Sequence, residues 1–229
     1  MQLIFLHGSG RCKESWRFQL DYFENAIALD FPGHPQGELC ATVDEYARWL
    51  HETIVASQMR DVVLVGHSMG GGVALQAALD YPDHLRAVVT VGSGARLRVH
   101  PDIFSMLEPA REDATVLDQF LDLALARIDP DLSGTMRARS HENTVAAFLN
   151  DFSACDGFDV MDRLADLSIP LLAAVGSQDG MAPVKYSEYL ASSVQSGRIC
   201  LIDGADHYAH IEQPAIFNES LAAFCRSLL

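Results

Sequence analysis

The sequence predicts an α/β fold: a mostly parallel central sheet of about six strands, helices on both faces, and a helical cap insertion. Two observations carry that prediction. Short runs rich in Val, Ile and Leu alternate with longer helical stretches, and one long segment, residues 97–164, breaks the alternation.

The strands come first. Residues 2–6, 26–29, 62–65, 87–91, 171–175 and 199–202 are short, nearly all apolar, and bounded by Gly, Asp or Pro. That is the signature of strands buried on both faces. Between them, residues 43–57 carry a helical stripe of Val43, Tyr46, Ala47, Leu50 and Ile54. Residues 71–81 are small and apolar, and Pro82 stops them. Residues 215–228 place Ile216, Leu221, Phe224 and Leu228 on related faces of a last helix. Within residues 97–164 no buried strand is visible; residues 116–128 and 144–152 read as helices. The expected division is a core domain of residues 1–96 and 165–229 and a helical cap of residues 97–164. Ordinary packing helices are the simpler alternative for that segment.

Composition narrows the function classes. The 229 residues suffice for one large domain, and 49 % hydrophobic residues argue against long disorder. A formal net charge of −15 repels phosphate backbones, so neither nucleic acid nor an anionic membrane surface is expected as a partner. The chain begins without a basic segment and holds no long apolar run, so a cytoplasmic location is expected. The five cysteines are scattered and lack Cys-x-x-Cys spacing, which suits free thiols in a reducing compartment. No ligand cluster suggests a metal, and no cofactor is expected. The exposed edge expected near the N-terminus would suit a homodimer.

The chemistry-bearing motif is Gly66-His67-Ser68-Met69-Gly70, between the apolar run 62–65 and the small-residue stretch that follows. A serine on so sharp a strand-to-helix turn has its hydroxyl held clear of the sheet, and its neighbours two residues away must be nearly free of side chain. The helix N-terminus behind it favours developing negative charge. Ser68 is therefore the candidate nucleophile.

Serine needs a base, and the base needs an orienting acid. After a turn of this kind the acid and then the histidine follow on later loops. Asp179 follows the run 171–175, and His207 follows the run 199–202. Asp203 and Asp206 are the rival acids, and His210 is the rival base, expected instead to hydrogen-bond within its loop. An oxyanion needs two backbone N–H groups. Met69, after the nucleophile, supplies one; Ser9 in His7-Gly8-Ser9-Gly10 is the choice for the other, with Gly10 next. In the cap, Ile103, Phe104, Met106, Leu107, Phe120 and Leu121 suit either an apolar acyl pocket or the cap's own core. Phe104, Leu107, Phe120 and Leu121 are the substrate-binding candidates.

Five segments in order resemble the α/β-hydrolase fold superfamily, in its lidded carboxylesterase and C–C hydrolase-like branch. They are Leu6-His7-Gly8-Ser9-Gly10 with Trp16; Asp30-Phe31-Pro32-Gly33-His34; Gly66-His67-Ser68-Met69-Gly70; Gly176-Ser177-Gln178-Asp179 with Pro183; and Gly204-Ala205-Asp206-His207 with Glu212 and Pro214. Pro35 and Gln36 depart from the Gly and Ser that often follow the second segment, and the antiparallel strand pair that commonly precedes the first is missing. The resemblance implies a Ser68–Asp179–His207 triad, an oxyanion hole from Ser9 and Met69, and a helical cap. With it goes the expectation of a serine hydrolase cleaving carboxylic esters through an acyl-enzyme, and the apolar cap residues suit small to medium apolar acyl groups. Activity would rise with pH as His207 sheds its proton. C–C bond hydrolysis of diketones, with Arg96, Arg98 or Arg139 holding a carboxylate, is one alternative. Cofactor-free perhydrolysis and a non-catalytic small-ligand receptor are the others.

Overall fold

The computed structural model describes residues 1–229. Six strands form one sheet: β1 (Gln2–Leu6), β2 (Ala26–Leu29), β3 (Val62–His67), β4 (Leu85–Val91), β5 (Leu171–Gly176) and β6 (Gly197–Ile202). Their spatial order is β2-β1-β3-β4-β5-β6, and all five pairings are parallel. Parallel neighbours require crossover connections, which the intervening helices supply; short α1 (Arg17–Leu20) lies between β1 and β2, and short α8 (Ala209–Glu212) follows β6.

Side chains alternate across the sheet as the two-residue strand period demands. Ile4 and Leu6 of β1 and Val62 and Leu64 of β3 join one core, with α2 (Val43–Ala56), α3 (Met69–Asp80) and α7 (Val184–Ser193). Leu3, Phe5, Val63 and Val65 face the other core, closed by Trp16 and α9 (Pro214–Arg226). Thr42 caps α2 by accepting from the Glu45 amide at 3.2 Å. The edge strands depart from the expected two-sided burial. β2 is half-buried throughout, and β6 exposes Ile199 and Leu201, because an edge strand lacks a neighbour and full helix cover.

Between β4 and β5 the chain is helical. It forms α4 (Pro101–Leu107), α5 (Ala114–Ala124) and α6 (Pro130–Asp156), the last broken at Thr144, where φ is 64°. The segment after that break matches the helix expected at 144–152, whereas α4 and the first half of α6 were not foreseen. Leu107, Leu117, Leu121, Met136 and Phe148 belong to a third hydrophobic cluster of this region. From Ala154 onward the chain rejoins the sheet's core. Backbone bonds from Leu97 to Phe158 (3.3 Å) and from Val160 to Ala95 (2.8 Å) tie the two ends of the insertion together. No helix is long and apolar enough to cross a membrane. All five cysteines are free thiols.

One buried carboxylate fastens the insertion to the sheet. Asp151, fully buried on α6, accepts from the Gly10 amide (2.8 Å), the His34 ring (2.9 Å) and the Tyr46 hydroxyl (2.9 Å). His34 donates its second ring N–H to the Pro32 carbonyl at 3.0 Å, so both nitrogens carry protons. Burial alone would push the His34 pKa down, but the hydrogen bond and charge of Asp151 outweigh it and leave the pKa raised. Replacing Asp151 strands an imidazolium, an amide and a phenol at once. Asp151→Ala is expected to cost about 3–5 kcal/mol, read as a lower urea midpoint at unchanged slope, with Asp151→Asn falling between the two.

Candidate active site

Ser68 sits at the crest of the β3–α3 turn in a conformation rare for a side-chain-bearing residue, φ 53° and ψ −118°. The glycines flanking it leave no alternative. A Cβ on Gly66 would lie 2.0 Å from the Gly70 carbonyl oxygen, and one on Gly70 would lie 2.4 Å from that of Leu6. The Ser68 carbonyl accepts from the Ser93 hydroxyl at 2.8 Å, which ties the turn to the loop after β4.

Asp179 and His207 stand on the loops after β5 and β6. His207 Nδ1 lies 3.0 Å from Oδ2 and 3.1 Å from Oδ1 of Asp179. Oδ1 also accepts from the Met181 and Ala182 amides at 2.9 and 2.7 Å, which fixes the carboxylate. Gly92, at the end of β4, makes room for the pair: a Cβ there would lie 2.9 Å from Asp179 Oδ2 and 3.1 Å from His207 Nδ1. With Nδ1 donating to the acid, Nε2 of His207 is the atom left to take a proton. The rival acids have other work. Asp203 accepts from the Ser177 hydroxyl, and Asp206 accepts from the His207 and Gly180 amides. His210 packs against Trp16, ring centroids 4.1 Å apart and planes tilted by 33°, rather than bonding within its loop.

Two adjoining cavities, of about 330 and 240 Å³, share Ser9, Ser68, Phe152 and His207 in their walls. The Ser9 and Met69 amides take no partner within the chain, whereas the Gly10 amide is committed to Asp151. Gly10 is thereby removed as the alternative oxyanion donor. Ser9 lines both cavities, and the Met69 amide opens α3 beside Ser68. The Cys155 thiol lies 3.6 Å from the Ser9 hydroxyl, but burial pushes it up to about 12, which disqualifies it as a rival nucleophile.

The acyl-pocket expectation is corrected in part. Phe120 lines the larger cavity; Phe104, Leu107 and Leu121 do not, and pack instead in or against the third hydrophobic cluster. Ile103 and Met106 on α4, from the same apolar set, line it with Phe120, and Leu123 and Ala124 on α5 and Phe152 join them. Tertiary packing decides which helix face meets the sheet, and an apolar stripe alone does not reveal it. Arg11 and His67 were missed. Arg11 is a charged residue in a glycine-rich loop, a signal that was available. His67 donates its Nε2–H to the His207 carbonyl at 3.0 Å and so positions the loop that carries the candidate base.

Comparisons with known proteins bear on the family and the overall fold. The Alpha/beta hydrolase family model matches residues 3–220. The pimeloyl-[acyl-carrier protein] methyl ester esterase of Yersinia enterocolitica is 25 % identical, over 98 % of this chain and 93 % of its own. A thermophilic esterase superposes with a TM-score of 0.83 at 29 % identity, over 99 % of this chain and 90 % of its own. A lipase-esterase related protein from Clostridium acetobutylicum superposes at 0.80 with 26 % identity, over 97 % and 93 %.

Three histidines around the site are buried and neutral. Burial first, then the charge of His34, lowers His7 to about 3; burial, then His207, lowers His210 to about 3; burial, then His207 and His210, holds His67 well below 6.5. In the unfolded chain each would titrate near 6.5. The unfolded state therefore binds more protons as pH falls below that value, and each histidine removes up to about 1.4 kcal/mol of stability per pH unit. His34 acts in the opposite sense and in another window: its contribution is complete below 6.5 and is lost as pH rises through its raised value. Urea unfolding between pH 7 and 5 should show a steep loss of stability, and His210→Phe should flatten the slope by about one proton. A flat profile contradicts the neutral assignment.

Proposed function

The chain belongs to the alpha/beta hydrolase family, and from that premise we propose that it is a serine hydrolase of carboxylic esters working through an acyl-enzyme on Ser68. The observation that carries the proposal is the Asp179–His207 pair, at 3.0 and 3.1 Å, beside a cavity that Ser68 also lines. Esters are named in the relatives compared above, a methyl ester esterase and a thermophilic esterase.

In the proposed cycle His207 Nε2 takes the Ser68 proton as the oxygen attacks the ester carbonyl. The Ser9 and Met69 amides hold the oxyanion, aided by the α3 N-terminus. His207 then gives its proton to the departing alkoxide, and the alcohol leaves. Water, activated by the same imidazole, attacks the acyl-enzyme and frees the acid. Asp179 holds the imidazole in the Nδ1–H tautomer and stabilises the imidazolium. The two cavities meeting at Ser68 suit the two halves of one ester, and their volumes of about 330 and 240 Å³ suit small to medium apolar groups. The insertion of residues 97–164 acts as the cap that sets this size, with Phe120 in the wall of the larger cavity.

Ser68→Ala is expected to lower kcat for p-nitrophenyl acetate and butyrate by at least about a thousandfold, and Asp179→Asn by about 10³–10⁴. A phosphonate ester should add one adduct mass, located on Ser68 by peptide mapping. Near-normal turnover in Ser68→Ala, or an adduct on another residue, overturns the assignment.

A further inference from the structure

Arg11 is the one lysine or arginine side chain buried in this protein, 3 % exposed. It lines the larger cavity together with Ser68 and His207. Its Nε donates to the Tyr208 hydroxyl at 2.8 Å and its Nη1 to the Ser140 hydroxyl at 3.1 Å. Its Cζ lies 5.2 Å from the ring centroid of Phe148, 5.8 Å from Tyr208 and 5.9 Å from Phe120. Every one of these partners is neutral, and no carboxylate oxygen comes within 4.0 Å. A guanidinium has five N–H groups, and two hydrogen bonds leave most of them unused. Nη2 of Arg11 has no partner within the protein and is not sealed from solvent, so its two N–H groups open onto the cavity that Arg11 lines.

The other charges nearby are already matched. Arg127, at the same cavity, pairs with Glu212 at 2.7 Å. Arg96, Arg98 and Arg139 each stand beside acids of their own, Asp159, Asp156, and the Glu14–Asp30–Glu142 group. Asp206 is occupied by two amides. A buried cation without an anion is costly, and aromatic walls that exclude water strengthen whatever anion reaches it. The site is also rigid: the Arg11 amide bonds the Gly8 carbonyl at 3.1 Å, and Asn143 donates to the Arg11 carbonyl at 2.7 Å.

We propose that Arg11 binds a carboxylate carried by the substrate, so that the preferred ester is apolar in its short chain and anionic at its end. The proposal rests on the Ser68 reading and deepens it. Arg11 lines only the larger of the two cavities, so the carboxylate belongs to whichever half of the ester enters there. Arg11 touches no reacting bond in this scheme and acts as a specificity-determining residue.

The test compares monomethyl succinate, glutarate and adipate with their dimethyl esters, and O-acetyl glycolate with its methyl ester, by proton release. The first set carries the charge on the acyl side and the second on the alcohol side. Wild type is expected to prefer the charged ester of one set by about 10- to 100-fold in kcat/KM, mostly through KM. Arg11→Met should collapse that ratio to one or below, and Arg11→Lys should keep part of it. A purely structural Arg11 would lower both members of each pair equally, which overturns the proposal, as does wild type that favours neither anionic set. Should Arg11→Met fail to fold, free glutarate and 1,5-pentanediol are compared as inhibitors of neutral-ester turnover by wild type. Competitive inhibition by the diacid alone supports the proposal, and equal potency sinks it. Calorimetric binding of the favoured half-ester to Ser68→Ala reads the anion site without turnover, so failure of the nucleophile assignment and failure of the anion site give separate results.

Discussion

The first turn of α3 approaches the ends of β1 and β3 so closely that backbone touches backbone. This contact is the constraint around which the rest is arranged. It forces Gly66 and Gly70 by simple exclusion and leaves Ser68 in a left-handed conformation that only a closely determined environment maintains. β3 has to lie between β1 and β4, because the loop after β1 brings Gly8 and the loop after β4 brings Ser93 against the same turn. The parallel order then delivers the ends of β5 and β6, with Asp179 and His207, to the same edge of the sheet. The geometry of the candidate site and the sheet topology are one problem here, solved by two missing side chains.

Around that contact runs a belt of buried histidines whose protonation differs from ring to ring. His7 donates Nδ1–H to the Gly8 carbonyl and accepts the Phe31 amide at Nε2, a pattern available only to the neutral ring. His34, with its ring centroid 4.9 Å away, donates from both nitrogens and is the charged one. The difference is set by what each ring faces: a carbonyl and an amide for His7, a carbonyl and the Asp151 carboxylate for His34. Asp151 also takes the Gly10 amide, which commits that amide to the carboxylate and leaves the Ser9 amide as the unpartnered one in the β1 loop. A residue of the insertion thus decides which amide of the β1 loop stays free of an internal partner.

Much of this was legible in the sequence, for physical reasons that also mark where legibility stops. Ser68, Asp179 and His207 could be placed because each follows an apolar strand, and strand ends in a parallel sheet share an edge. Chain order then sufficed. β6 was misjudged as buried on both faces because Ile199 and Leu201 are apolar whether or not a helix covers them. Phe104, Leu107 and Leu121 read equally as pocket or as cap core, because a helical stripe shows that a face is apolar, not which apolar neighbour it meets. Asp151 left a readable trace as a carboxylate amid Ala147, Phe148, Leu149 and Phe152. Its three partners lie more than 100 residues away in the chain, so neither spacing nor periodicity could name them.

The charge distribution sets two effects against each other, and distance decides between them. With a net charge of −15 the surface as a whole disfavours an anionic ester. That repulsion arises largely from exposed groups and is screened over about 8 Å at physiological ionic strength. Arg11 acts at hydrogen-bonding range, inside aromatic walls, where screening by salt is weak and charge-assisted bonds are strongest. Selection of a carboxylate-bearing ester therefore does not require a positive surface. It requires one cation that folding has buried and left without an acid, in a chain where nearly every other basic side chain near the site has its own. The same isolation gives Arg11 its specificity: a neutral ester of equal length leaves the guanidinium unpaired, and an anionic one completes it.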